Sequence, residues 1–214
     1  MSAAALRVDF IADICCPWCY VSWRALDRAI IARPDLNVER VWGAFLLRPD
    51  TPPFGFDRAE YIAKIFAGDP ERAQASRAAL QAAADDAGAP LNLEAAKRVP
   101  NTINAHRIVQ WASGQGLTIA AADALFAAYF VEGRDIGDRD VLLDIAASSG
   151  LDRAIVAKLL DGDADWNIVA DAHNAAVEAG VRGVPVTLFN GRFARQGAES
   201  VAVYARLLDT AAAG

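Results

Sequence analysis

The sequence predicts an α/β protein in which the two ends of the chain build one sheet and a long helical insertion separates them. Three observations carry this reading. Strand-like patterning is confined to residues 6–47 and 184–195, the stretch between them is alanine-rich and punctuated as helices are, and an Asn190-Gly191 pair separates two short strand-like runs near the C-terminus. With 214 residues, 54% of them apolar and 22% charged, the chain is long enough to bury a substantial core as one domain carrying a large insertion.

Leu6 to Asp13 alternates apolar and polar residues before Phe10-Ile11-Ala12, as a strand running into a core does. Residues 17–32 then place Tyr20, Trp23, Leu26 and Ile30 at helical spacing, with Pro17 suited to the first turn. Residues 38–47 are rich in β-branched, aromatic and leucine side chains and read as a second strand, closed by Arg48-Pro49-Asp50. From Thr51 to Gly180 helices are expected at residues 57–67, 70–87, 102–114, 118–131, 138–148, 152–160 and 165–179, with Leu125-Phe126, Tyr129-Phe130 and Leu142-Leu143 supplying much of the interior. Val184 to Phe189 and Arg192 to Arg195 form a hairpin about Asn190-Gly191, and a last helix over residues 199–212 covers the sheet. That order is a thioredoxin-like plan. Residues 1–50 and 180–214 make up a discontinuous thioredoxin-like domain, and residues 51–179 an all-helical insertion between the second strand and the hairpin.

A net charge of −6 with scattered Lys and Arg argues against nucleic-acid binding, which needs clustered cations to neutralise phosphates. The N-terminal residues lack the charged start and apolar run of a secretory signal, and no later run is long enough for a membrane span, so the expected compartment is the cytoplasm. Thiols are kept reduced there, and a close cysteine pair is then catalytic or metal-binding rather than a permanent staple.

That pair is Cys16-Pro17-Trp18-Cys19, at the junction of the first strand and first helix. With Cys16 at the helix N-cap, unpaired backbone N–H groups and the helix dipole favour a thiolate there, while Cys19 lies one turn further in. Cys16 is the expected nucleophile and Cys19 the resolving thiol. The other readings of the pair are two inert core cysteines and a zinc half-site; zinc would need four ligands, and beyond this pair the chain offers only Cys15, His106 and His173, with no second pair at ligand spacing. Cys15 suits a small core position at the strand end, and Asp13 a turn or cap, although its charge could raise neighbouring thiol pKa values. Structural hydrogen bonding is the simplest role for His106 and Arg107, with lining of a substrate groove the alternative. The charged stretch from Glu132 to Asp140 reads as a capped inter-helix loop. Trp18, between the cysteines, belongs to an apolar contact surface. Pro185 opens the hairpin, where a cis peptide would set the Val184 backbone beside the cysteines to pair with an extended substrate.

Four stretches together resemble the DsbA-like thioredoxin family, within it the FrnE-like branch of dithiol-disulfide isomerases. They are Asp13-Ile-Cys-Cys-Pro-Trp-Cys-Tyr20, Phe45-Leu-Leu-Arg-Pro-Asp50, Asn101-Thr-Ile-Asn-Ala-His-Arg107 with residues 125–135, and Gly183-Val-Pro-Val-Thr-Leu-Phe-Asn-Gly191. The resemblance implies a reactive Cys16, a resolving Cys19, a cis Pro185, and disulfide-bearing protein or small-molecule substrates. It implies no metal or organic cofactor, with glutathione as a potential redox partner or co-substrate and a homodimer as a potential assembly. Cys15 departs from the branched aliphatic residue familiar at its position, and Ser22 from glycine. Related 2-hydroxychromene-2-carboxylate isomerases and kappa-class glutathione transferases typically carry serine where Cys16 stands, so the cysteine pair argues against glutathione-dependent isomerase or transferase chemistry. A non-catalytic polypeptide-binding module is the alternative of another class; its binding would survive loss of both cysteines.

Overall fold

Alternation in the first strand decides which way the sheet faces. The computed structural model describes residues 5–214; residues 1–4, which open both the segment read for a targeting signal and the 1–50 segment, lie outside the described residues. In β1 (Leu6–Ala12), Leu6, Val8, Phe10 and Ala12 are buried while Arg7, Asp9 and Ile11 point the other way. The strand turns into α1 (Pro17–Ile31), and β2 (Val38–Ala44) returns parallel to β1. At the other end of the chain β5 (Val186–Phe189) pairs antiparallel with β1 and with β6 (Phe193–Gln196), giving the strand order β2-β1-β5-β6. Both segments read as strand-forming therefore meet in one sheet, with β1 inside it.

The hairpin turn works as its residues require. Asn190 and Gly191 both take positive φ, 50° and 65°, and Arg192 N–H donates to Phe189 O at 2.9 Å. Asn190 also fastens the tip to β1, its N–H donating to Arg7 O at 2.8 Å and its Oδ1 accepting from Arg7 N–H at 2.9 Å. Strand β2 ends at Ala44, three residues short of the expected end at Leu47. Side chains claim the backbone there: Leu46 N–H donates to His173 Nδ1 at 3.2 Å and Leu47 N–H to Asp13 Oδ2 at 2.8 Å.

Between β2 and β5 the chain forms α2 (Arg58–Phe66), α3 (Pro70–Ala87), α4 (Ile103–Ser113), α5 (Thr118–Phe130), α6 (Arg139–Ser148), α7 (Arg153–Leu160) and α8 (Trp166–Glu178). Four of these begin at aspartates, Asp57, Asp69, Asp138 and Asp152, whose side chains accept first-turn N–H groups. The excursion is not wholly helical. β3 (Phe56–Asp57) and β4 (Arg98–Val99) pair as a short antiparallel ladder, and Gly55 before it has φ 68° with Val99 O only 2.3 Å from where a Cβ would sit. Two residues per strand offer no periodicity to read, which is why an all-helical insertion was expected.

Aromatic side chains weld the excursion to the sheet. Trp23 of α1 meets Phe10 at 5.2 Å and Trp42 at 5.7 Å between ring centres, and its indole N–H donates to Asp123 of α5 at 2.6 Å. Tyr20 stacks on Phe130 at 5.4 Å, and Leu125, Phe126, Tyr129, Leu142 and Leu143 are buried, as expected. The final helix α9 (Val201–Ala213), capped by Ser200, packs against α1.

Tyr204 of α9 donates or accepts with two buried hydroxyls, Ser22 of α1 and Thr187 of β5, the latter at 3.1 Å. Tyr204→Phe leaves both hydroxyls short of a partner without opening a cavity, so it should cost about 1–3 kcal/mol of stability. A lower urea midpoint at unchanged slope is the expected result; an unchanged midpoint would mean that Ser22 and Thr187 satisfy each other.

Candidate redox site

The site is made where β1 hands over to α1. Cys16 is the helix N-cap in extended conformation, Pro17 occupies the first helical position, and the backbone N–H of Cys19 donates to Cys16 Sγ at 3.3 Å. An N–H and the positive end of a 15-residue helix thus face this sulfur, an arrangement that stabilises negative charge on it. Cys19 has no exposed surface, Cys16 5%, and all three cysteines are free thiols. Burial, and then the adjacent Cys16, pushes the Cys19 thiol well above its ordinary pKa. Burial and the Asp13 charge do the same to Cys15.

The Val184–Pro185 peptide is cis, and the Val184 carbonyl oxygen lies 3.8 Å from Cys16 Sγ. Val184 and Pro185 are therefore brought beside the Cys16 sulfur from the far end of the chain. Trp18 is half-buried and lines a cavity of about 560 Å³ that opens beside Cys15 and Cys16.

Asp13 does more than close a turn. It is 1% exposed, and its carboxylate accepts from Leu47 N–H at 2.8 Å and from Cys15 N–H at 3.4 Å, pinning the loop after β2 against the cysteines. His106 of α4 accepts Trp42 Nε1–H at Nδ1, 3.2 Å away, which leaves its own N–H on Nε2, 3.4 Å from Asp13 Oδ1. That last pair is in contact but not aligned as a hydrogen bond, and Nε2 has no other partner among the described residues. Burial pushes the Asp13 carboxyl up, but His106, the Leu47 N–H and Thr102 outweigh it and hold the carboxyl below its ordinary value. Arg107 is structural: from a buried position its guanidinium donates to Leu159 O at 2.6 Å, Ala164 O at 2.7 Å and Gly162 O at 2.9 Å, holding the loop between α7 and α8. Neither His106 nor Arg107 lines the cavity.

The cavity wall has no signature in the sequence. Tyr61, Ile62, Ile65 and Phe66 of α2 line it, yet their spacing is that of any amphipathic helix facing a core. The Asp13–His106 contact joins residues with no local signal connecting them.

Known proteins share the fold over nearly the whole chain. A probable DsbA oxidoreductase from Streptomyces coelicolor is 27% identical and superposes with a TM-score of 0.86, covering 96% of this chain and 89% of that one. The uncharacterized protein YwbO of Bacillus subtilis is 26% identical over 181 residues, 84% of either chain. The cytosolic disulfide reductase DsbM from Pseudomonas aeruginosa, in a structure with GSH, shares the fold at 20% identity with a TM-score of 0.62, over 97% of this chain and 96% of that one. The family model of the DSBA-like thioredoxin domain matches residues 7–209, and with nearly the whole chain inside that match the protein belongs to the DsbA-like thioredoxin family.

Proposed function

We propose that this protein exchanges its own dithiol with disulfide substrates, Cys16 as nucleophile and Cys19 as resolving thiol, and acts as a reductase or isomerase in the cytoplasm. The observation that carries this reading is Cys16 Sγ at the α1 N-cap, receiving Cys19 N–H at 3.3 Å and facing Val184 O at 3.8 Å. Such a sulfur is charge-stabilised, one helical turn from its partner thiol and beside a backbone group able to dock a substrate. Family membership supports it. Among relatives of the fold DsbM is a cytosolic disulfide reductase, which favours the reducing direction and glutathione as a partner here.

The Cys16 thiolate attacks one substrate sulfur, the substrate S–S bond breaks, and one thiol leaves. Cys19 then gives up its proton and attacks Cys16 Sγ, releasing the second substrate thiol and leaving the protein disulfide. The net change is two electrons and two protons from protein to substrate. The reaction draws on thiols alone, with two glutathione molecules, themselves joined as glutathione disulfide, or one dithiol returning the two electrons. Glutathione-dependent isomerase or transferase chemistry is disfavoured because Cys16 occupies the position where those relatives carry serine.

Equilibration of the purified protein with glutathione buffers, followed by intact mass after acid quench, tests the reading. A reversible two-electron transition absent in Cys16→Ser and retained in Cys15→Ser is expected. If no Cys16–Cys19 disulfide forms across the accessible range, the dithiol mechanism is wrong.

A further inference from the structure

The cavity beside Cys16 has a chemistry of its own. Its wall is largely apolar, with Trp18, Tyr61, Ile65, Phe66 and Phe130 facing it, and about 560 Å³ suits one small molecule. Helix α2 buries none of its residues fully, and Ile65 remains 39% exposed, so the apolar side of this helix is turned to the cavity rather than packed into the core. The same lining holds three arginines, Arg48, Arg58 and Arg77, and no aspartate or glutamate, in a chain of net charge −6. Arg77 pairs with Glu94 and Arg48 leans on Tyr61, 4.9 Å from the ring centre. Among the described residues neither Arg48 nor Arg58 forms an ion pair.

We infer that this cavity receives the body of a small, largely apolar disulfide carrying an anionic group, whose sulfur is delivered to Cys16 while its acid group is met by Arg48 and Arg58. The inference rests on the dithiol reading and names its substrate class. Val184 and Pro185 do not line the cavity, so this volume is separate from the backbone edge that an extended peptide would use. Glutathione is anionic too, but its polar tripeptide has nothing to set against the aromatic and aliphatic wall. In the reaction, Cys16 Sγ bonds to one sulfur of R–S–S–R and expels RS⁻. R then rests in the cavity as a mixed disulfide until Cys19 attacks Cys16 Sγ and releases the second thiol, the protein dithiol being oxidised by two electrons and the disulfide reduced to two thiols.

The test is a single-turnover reaction of the fully reduced full-length protein with four probes: bis(carboxyphenyl) disulfide, its neutral bis(carbamoylphenyl) counterpart, the short dithiodipropionate, and glutathione disulfide. Dividing each rate by that of dithiothreitol with the same probe removes intrinsic leaving-group reactivity. The carboxyphenyl disulfide should lead its neutral counterpart by about tenfold, the factor one charge-assisted contact supplies, and lead the short dithiodipropionate and glutathione disulfide by about the same factor through burial of its aromatic body. The lead over the neutral probe should collapse in the Arg48→Gln, Arg58→Gln double variant and persist in Arg134→Gln, which lies outside the cavity lining. Ile65→Glu, at a partly exposed position, should reverse it by setting a carboxylate in the cavity. Equal normalised rates, a lead for glutathione disulfide, or a preference indifferent to the arginine and Ile65 changes would overturn the cavity assignment and leave the dithiol reading standing. Failure of Cys16 to react with any probe would overturn the dithiol reading itself.

Discussion

Cys19→Ser is expected to turn exchange into capture. The variant keeps Cys16 at the N-cap, where the residue 19 backbone N–H still donates to its sulfur, so the first attack proceeds. What it lacks is the thiol one turn inward that would attack Cys16 Sγ. The mixed disulfide should therefore persist, seen as a mass increase of one substrate thiol that disappears on reduction, whereas Cys16→Ser should form no adduct there. Cys15 is the one other thiol in the chain that could substitute. Burial and the charge of Asp13 hold it protonated, and adjacent residues keep their Cα atoms about 3.8 Å apart, closer than the roughly 4.4–6.8 Å of ordinary disulfides, so rescue by Cys15 should be slow. Rapid release from Cys19→Ser together with a Cys15–Cys16 disulfide would make Cys15 the resolving thiol instead.

How far this site was legible follows from the range over which its signals act. Cys16, Pro17 and Cys19 are neighbours on a helix start, and N-capping is local chemistry, so sequence spacing was enough to place them. Pro185 needed the order of elements as well, since only the β5–β6 hairpin beside β1 brings Val184 to Cys16. Helix starts announced themselves through aspartate caps, and the hairpin through Asn190-Gly191. The end of β2 was misplaced because Leu46 and Leu47 look like strand residues, and their N–H groups are diverted by His173 and Asp13, one of them 127 residues away. The arginine-lined cavity was invisible for the same reason: α2, α3 and the residue 47–48 loop converge only in three dimensions, and an apolar helical stripe reads alike whether it meets a core or a cavity.

Asp13→Asn sets two effects of that buried carboxylate against each other. Its charge helps keep Cys19 protonated, so removing it should make this thiol somewhat more acidic and, taken alone, quicken resolution. Burial is the larger cause of the raised Cys19 pKa and survives the substitution, so Cys19 remains a thiol at neutral pH and still has to lose a proton to attack. The same carboxylate accepts from Leu47 N–H at 2.8 Å and Cys15 N–H at 3.4 Å, one on each oxygen, and an amide in its place keeps only one of those two acceptors. Loss of one charge-assisted bond there should cost about 1.5–3 kcal/mol of stability, while relief of the charge should quicken resolution at pH 7 by a few fold at most. The pH dependence has a defined sign. The folded carboxyl sits below its ordinary value, so the stability it contributes is fully present above the unfolded pKa of about 3.9 and is withdrawn as pH falls through the folded value. Asp13→Asn should flatten that acid limb in urea titrations while quickening resolution modestly at pH 7, as expected of a carboxylate that holds Leu47 and Cys15 in place. Resolution slowed by about 100-fold with a flattened limb would instead make the carboxylate the acceptor of the Cys19 proton.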